Sequence, residues 1–236
     1  MNVFCYTCVM PRRPRLHLPD YPHHLIQRGH KRAACFFAEE DYRAYLDALG
    51  AALAKTGVRL HAYVLMANHV HLLVTPQAAE DLSRLMMAIG RRYVQYINTT
   101  YRRVGTLWDS RYKSSLLDGG HYLLRCQRYI ELNPVRTDRV SDPGDYPWSS
   151  YRANALGTDD PLLIPHDCYL ALGESPESRQ AAYLELFNTE LSHRTIAEFR
   201  LAIQQSQPIG NEDFLQEIEH ITGQRRQARP RGRPLK

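Results

Sequence analysis

The sequence predicts an α+β fold, an antiparallel sheet with helices packed on it. Three observations predict it. Short runs at 23–28, 59–66 and 69–74 read as strands, the second by its alternation and the third by histidines two residues apart. Two longer stretches, 39–56 and 80–98, repeat apolar residues at helical spacing. Only Ala67-Asn68 separates the second strand from the third, which makes that pair a hairpin.

In chain order, His23-His24-Leu25-Ile26-Gln27-Arg28 reads as the first strand, ended by Gly29. Its adjacent histidines face opposite ways and read as strand-end residues. The first helix has Glu39, Glu40 and Asp41 in its opening turn, Tyr45, Leu46, Leu49 and Leu53 along one side, and Gly57 as its stop. The hairpin 59–74 follows. The second helix carries Leu82, Leu85, Met86, Ile89 and Tyr93 on its apolar stripe, with Arg84, Arg91 and Arg92 elsewhere. Leu107–Leu117 reads as a fourth strand bearing cations and aromatics, and Asp118 as the N-cap of a third helix that Pro134 closes. The order β-α-β-β-α-β-α is that of a ferredoxin-like arrangement.

The 236 residues, 44% of them hydrophobic, suffice for one domain and an appendage. The divisions expected are an N-terminal extension over 1–10, a main domain over 11–153, a Pro- and Gly-interrupted linker over 154–174, a helical region over 175–223 and a basic tail over 224–236. The tail holds six cations and no acid, and removing those six from the formal charge of +5 leaves −1. Basicity is thus local, as for a segment that meets a polyanion. Five scattered cysteines suit a reducing compartment. Cys5 and Cys8 lack a second pair at zinc-site spacing. They precede Met10, an alternative start. No run is long enough to span a bilayer, so a cytoplasmic, nucleoid-associated protein is expected. Neither a phosphate loop nor a dinucleotide fingerprint is present, so no nucleotide cofactor is expected.

His69 and His71 sit at i and i+2 of the third strand and leave it on one face, while Val70, Leu72 and Val74 face a core. Two imidazoles so placed can grip one metal ion, or simply occupy a half-buried face. On the third helix Tyr122, Cys126, Tyr129 and Asn133 fall on one stripe, so the Tyr129 phenol and the Asn133 amide can address one point. Alternatively, Tyr129 packs in the core and Asn133 caps the helix end.

Together these motifs resemble the IS200-like transposase superfamily, and within it the REP-associated tyrosine transposases. The resemblance runs from about Pro11 to Tyr151. Gln27-Arg28-Gly29-His30 is similar to the family's R-G-N start, with His30 in place of Asn. Leu60–Val74 is similar to its L-H-A-Y-V-x-M-x-N-H-x-H-L-L block. Gly105–Tyr112 resembles G-x-L-W-x-x-R-Y, and Tyr129–Arg136 resembles Y-I-x-x-N-P-V-R. The resemblance implies an HUH nuclease fold and a single-tyrosine endonuclease acting on single-stranded DNA hairpins, as monomer or homodimer. Tyr129 would be the nucleophile, and His69, His71 and Asn133 would hold a divalent metal ion, Mg²⁺ or Mn²⁺.

Arg28, Lys31, Arg111 and Lys113 are candidate backbone contacts, with Trp108 and Tyr112 as platforms for unpaired bases. Arg229, Arg231 and Arg233 lie in an Arg-Gly-Arg-Pro core similar to an AT-hook, or form a solubilising tail. Two rivals are a catalytically idle, transposase-derived DNA-binding regulator and a metal-dependent hydrolase that uses water as nucleophile. The helices beyond Asn154 bind DNA, bind a partner, or fold back over the site.

Overall fold

The computed structural model describes residues 15–224. The Cys5–Cys8 pair, Met10 and the tail with Arg229, Arg231 and Arg233 lie outside the described residues. The elements follow in the expected order: β1 (His23–Arg28), α1 (Glu39–Thr56), β2 (Arg59–Met66), β3 (His69–Thr75), α2 (Asp81–Thr100), β4 (Lys113–Leu116) and α3 (His121–Glu131). The strands form one sheet in the order β2-β3-β1-β4, antiparallel at every pairing, which is the ferredoxin-like order.

Local chemistry fixes the element ends. The Asp41 carboxylate accepts the backbone N–H groups of Phe37 and Ala38 at 2.7 and 3.0 Å, anchoring the start of α1. Gly57 closes that helix in the left-handed region, φ 68°, with its N–H on the Leu53 carbonyl. At the end of β1, a Cβ on Gly29 would meet the Ala33 carbonyl oxygen at 2.2 Å, so the turn after the strand requires glycine.

The sheet is covered on both faces. Val70, Leu72 and Val74 pack with Leu25, Leu60 and Leu65 against Tyr45 and Leu49 of α1 and Leu82, Ile89 and Tyr93 of α2. A register shift between Leu60 and Ala62 turns the inward residues of β2 over, so Ala62, Val64 and Met66 join Leu73 on the opposite face. There they meet Leu123, Cys126, Tyr129 and Ile130 of α3. The histidine face of β3 is therefore interior, and His71 is 2% exposed.

Three expectations are corrected. The fourth strand shrinks from 107–117 to Lys113–Leu116: its ladder with β1 stops at the Ile26–Lys113 pair although β1 runs on to Arg28, because residues 109–112 bow out before the Gly29–Trp108 bridge. Asp118 is not the N-cap of α3: its carboxylate accepts the Gly120 N–H in the preceding turn, and the helix starts at His121. Pro134 does not end the helical path. After a break at Leu132 the chain resumes as α4 (Asn133–Arg136), with Pro134 in a first turn where its missing N–H costs nothing.

Beyond α4 come α5 (Tyr151–Leu156), α6 (Asp167–Leu170), α7 (Pro176–Glu185), α8 (His193–Gln205) and α9 (Glu212–Thr222). The 154–174 stretch lies along the β2 edge, where Ile164 N–H reaches the Leu60 carbonyl at 2.7 Å. Glu131 of α3 ties this region in. Its carboxylate accepts from Ser150 Oγ at 2.6 Å, Asn154 Nδ2 at 2.8 Å and the Tyr183 hydroxyl at 2.7 Å. Phe199 and Ala202 of α8 complete the core over α3, and Phe214 and Ile218 of α9 pack on Leu116. Among the described residues no helix is long and apolar enough to cross a membrane.

Candidate functional site

β1, β3, α3, α4 and α8 surround a cleft of about 1170 Å³, above the range of roughly 300–1,000 Å³ usual for small-molecule pockets. His69, His71, Tyr129 and Asn133 all line it. Strand period two brings the histidines there, and the i, i+4 step on the α3–α4 path brings the tyrosine and asparagine. The His69 and His71 ring centroids are 5.0 Å apart, and the Tyr129 ring lies 6.0 Å from His71.

Hydrogen bonding prepares both imidazoles as ligands. Asn68 Nδ2 donates to the Arg32 carbonyl, which turns its Oδ1 toward His69 Nδ1 at 2.6 Å. That oxygen only accepts, so the His69 proton sits on Nδ1 and the Nε2 lone pair is left open. His71 Nδ1 lies 2.7 Å from His24 Nε2, a partner that can hold its proton in the same way. Burial, reinforced by Arg28 and Arg136, holds the His69 pKa down to about 4. Burial, His24 and His69 hold His71 well below its ordinary value. Both rings are thus neutral near pH 7, as metal ligation requires. Two imidazoles and the Asn133 amide oxygen fit a divalent ion that keeps open positions.

The remaining assignments divide. Arg28, Lys31, Arg111 and Lys113 line the cleft, and Lys113 Nζ also donates to the Gln204 carbonyl at 3.2 Å. Trp108 and Tyr112 do not serve as base platforms: each is 7% exposed. Trp108 packs beside Tyr93, and Tyr112 lies between Arg15, His17 and Ser83. Their neighbourhood of cations looks like a surface in sequence, but α2 and the 15–17 segment cover them.

Four participants were missed. His24 faces the site rather than a strand end; its same-face relation to His71 depends on the β1–β3 register, which the sequence does not print. Arg136 stands seven residues after Tyr129, a helical i+7 spacing that marked it. Arg200 and Gln204 of α8 enter from a distant segment with no sequence signal. Among the described residues, seven cations and one carboxylate, Asp109, line the cleft, a charge balance that selects a polyanion. Tyr129 is 4% exposed beneath Phe199, whose ring is 5.2 Å away.

A family model described as "Transposase IS200 like" matches residues 18–133. The chain belongs to the IS200-like transposase family. The matched part of this IS200-like transposase holds the whole sheet, both imidazoles, Tyr129 and Asn133; Arg136 and α5–α9 lie beyond it. No curated protein matches the chain. Among solved structures, the transposase is similar to a REP-associated tyrosine transposase bound to a REP hairpin. The two share 17% identity at a TM-score of 0.55, over 67% of this chain and 93% of that one. At that identity the likeness shows a shared fold. A provisionally named transposase of Deinococcus radiodurans R1 is 26% identical over 50% of this chain and 95% of its own, with a TM-score of 0.37.

Proposed function

We propose that the protein is a metal-dependent single-stranded DNA endonuclease and strand transferase of the REP-associated tyrosine type, acting on hairpin-forming palindromic elements at the nucleoid. The observation that carries this reading is the convergence of Tyr129, two lone-pair-bearing imidazoles and the Asn133 amide in one cationic cleft. Similarity in fold to a transposase bound to a REP hairpin supports a hairpin substrate.

In this reading the Tyr129 oxygen attacks the scissile phosphorus. The Tyr129 Oη–P bond forms and the P–O3′ bond breaks, leaving the DNA 5′ end on the tyrosine and a free 3′ hydroxyl. The phenolic proton passes to solvent and the departing oxygen takes one up. Reversal against another 3′ hydroxyl rejoins the strand without ATP, since the phosphotyrosine conserves the bond. His69 Nε2, His71 Nε2 and Asn133 Oδ1 would hold Mg²⁺ or Mn²⁺, which when bound supplies Lewis-acid polarisation of the phosphate. The imidazole-rich donor set favours Mn²⁺ in intrinsic affinity. Tyr129 shares its cleft with imidazoles of the same chain, which supports cleavage in cis by a monomer. Exposed Arg28, Lys31, Arg111 and Arg200 at the cleft mouth would hold the backbone of the strand.

One observation favours the idle DNA-binding regulator: the burial of Tyr129 under Phe199. The deciding experiment mixes the protein with Mn²⁺ or Mg²⁺ and hairpin oligonucleotides carrying single-stranded feet, then resolves products under denaturing conditions. A protein–DNA adduct that disappears in Tyr129→Phe and with EDTA is expected. Binding with no adduct would establish the regulator, and cleavage without an adduct the hydrolase.

A further inference from the structure

We infer that Arg136 is a catalytic residue of the same reaction, a guanidinium that binds the non-bridging oxygens of the scissile phosphate beside Tyr129. The inference rests on the reading just given and adds to it a group outside the histidine–tyrosine–asparagine set.

Four observations lead there. The Arg136 guanidinium carbon stands 4.3 Å from the centroid of the Tyr129 ring. Its Nη2 donates to the Tyr129 backbone carbonyl at 2.7 Å, which fixes the fork relative to that residue. Its Nη1 is buried and has no hydrogen-bond partner among the described residues. Among the described residues no carboxylate pairs with it, and the sole acid of these that lines the cleft, Asp109, stands 4.0 Å from His30.

Arginine stays charged in proteins, so a largely buried guanidinium without a counter-ion and with an idle N–H is costly unless an anion completes it. The cleft that supplies the space also holds His69, His71 and Asn133. A phosphodiester placed for attack by Tyr129 presents its non-bridging oxygens to that face of the ring. Their geometry matches a guanidinium fork.

The chemistry gives the contact its value. While the Tyr129 Oη–P bond forms and the P–O3′ bond breaks, negative charge accumulates on the non-bridging oxygens. A preorganised cation with N–H groups aimed at them stabilises that arrangement more than the ground state. Stacking over the ring also restrains the phenol, so one side chain holds the nucleophile and meets the charge that its attack creates. The sequence encodes this through the helical path: Tyr129, Asn133 and Arg136 are at i, i+4 and i+7, and the resumption of helix after Leu132 keeps them on one side.

The test compares wild type, Arg136→Gln and Arg136→Lys on two hairpin oligonucleotides in Mn²⁺. One carries the natural scissile phosphate. In the other a methylphosphonate replaces it, so that one charged oxygen becomes a methyl group. Adduct formation is timed, and hairpin affinity and thermal unfolding are measured alongside. On the natural phosphate Arg136→Gln is expected to slow adduct formation about 100-fold or more, with hairpin affinity within about twofold, and Arg136→Lys to lose less. On the methylphosphonate the deficit of both variants should shrink at least tenfold, because the charge that Arg136 meets is gone. Equal losses on the two substrates in both variants, or affinity falling in step with rate, would overturn the inference in favour of a structural or general DNA-holding role. An adduct indifferent to Arg136→Gln would remove this inference alone, whereas a wild type that gives no Tyr129-dependent adduct would remove the parent reading and this one together.

Discussion

Glu131 lies on α3 between Tyr129 and Asn133, fully buried, with Ser150, Asn154 and Tyr183 donating to its carboxylate. Burial pushes its pKa up from the ordinary 4.5 to about 7, against the opposing pull of those three hydrogen bonds. Between these values the unfolded chain is ionised while the folded one keeps the proton. The stability from this group is therefore complete below the unfolded value and lost as pH rises through the folded one. At about 1.4 kcal/mol per pH unit, the loss amounts to about 3 kcal/mol, a large share of the ~5–15 kcal/mol that holds a typical domain. Glu131→Gln keeps the shape and most of the hydrogen bonding but cannot ionise. Chemical denaturation of both proteins at pH 5, 6, 7 and 8 isolates the term, because every other titrating group cancels in the difference. The variant should gain about 2.5 kcal/mol relative to wild type between pH 5 and pH 8, the rest having been lost below pH 5. A difference that stays constant with pH would refute the account of a carboxyl held neutral by burial.

Two further outcomes follow from the histidines. His23 and His61, away from the cleft, are held to about 3 and about 4 mainly by burial. The unfolded chain therefore takes up protons below about pH 6.5 that the fold refuses, and each fully buried imidazole costs about 2 kcal/mol of stability by pH 5. The melting temperature should fall steeply from pH 7 to pH 5, and a flat profile would contradict neutral, buried rings. At the site, His24→Phe keeps a ring beside His71 but removes the hydrogen-bond partner of its Nδ1. Mn²⁺ affinity, followed by the resonance of the free ion, should drop about 10- to 100-fold; unchanged affinity would mean that His24 does not orient the ligand.

Much of the frame was legible because it rests on short-range patterns. Strand patterning set β1 and β2 to their observed bounds and β3 to all but its last residue, Thr75, and Glu39–Asp41 with Gly57 bracketed α1 as found. The i, i+4 relation of Tyr129 and Asn133 survived even where the expected effect of Pro134 did not. Lys113–Leu116 was overextended because its ladder with β1 stops at Ile26 while β1 runs on, and the point where two strands part is written in neither segment. Trp108 and Tyr112 were misplaced for a related reason: a run of aromatics and cations has the same composition whether α2 covers it or not.

The sequence by itself determined the elements, their order and the one-sided placement of the histidine pair and of the tyrosine stripe, since the periods of 2 and 3.6 are properties of the backbone. Tertiary structure decided that His24 would stand behind His71, that Arg136 would stand over Tyr129 without a counter-ion, and that α8 would roof the cleft with Phe199 and Arg200. Those relations join residues 47 to 71 positions apart, or turn on which groups are absent from a neighbourhood. Burial and strand register set them, and both arise only when distant segments close on one another.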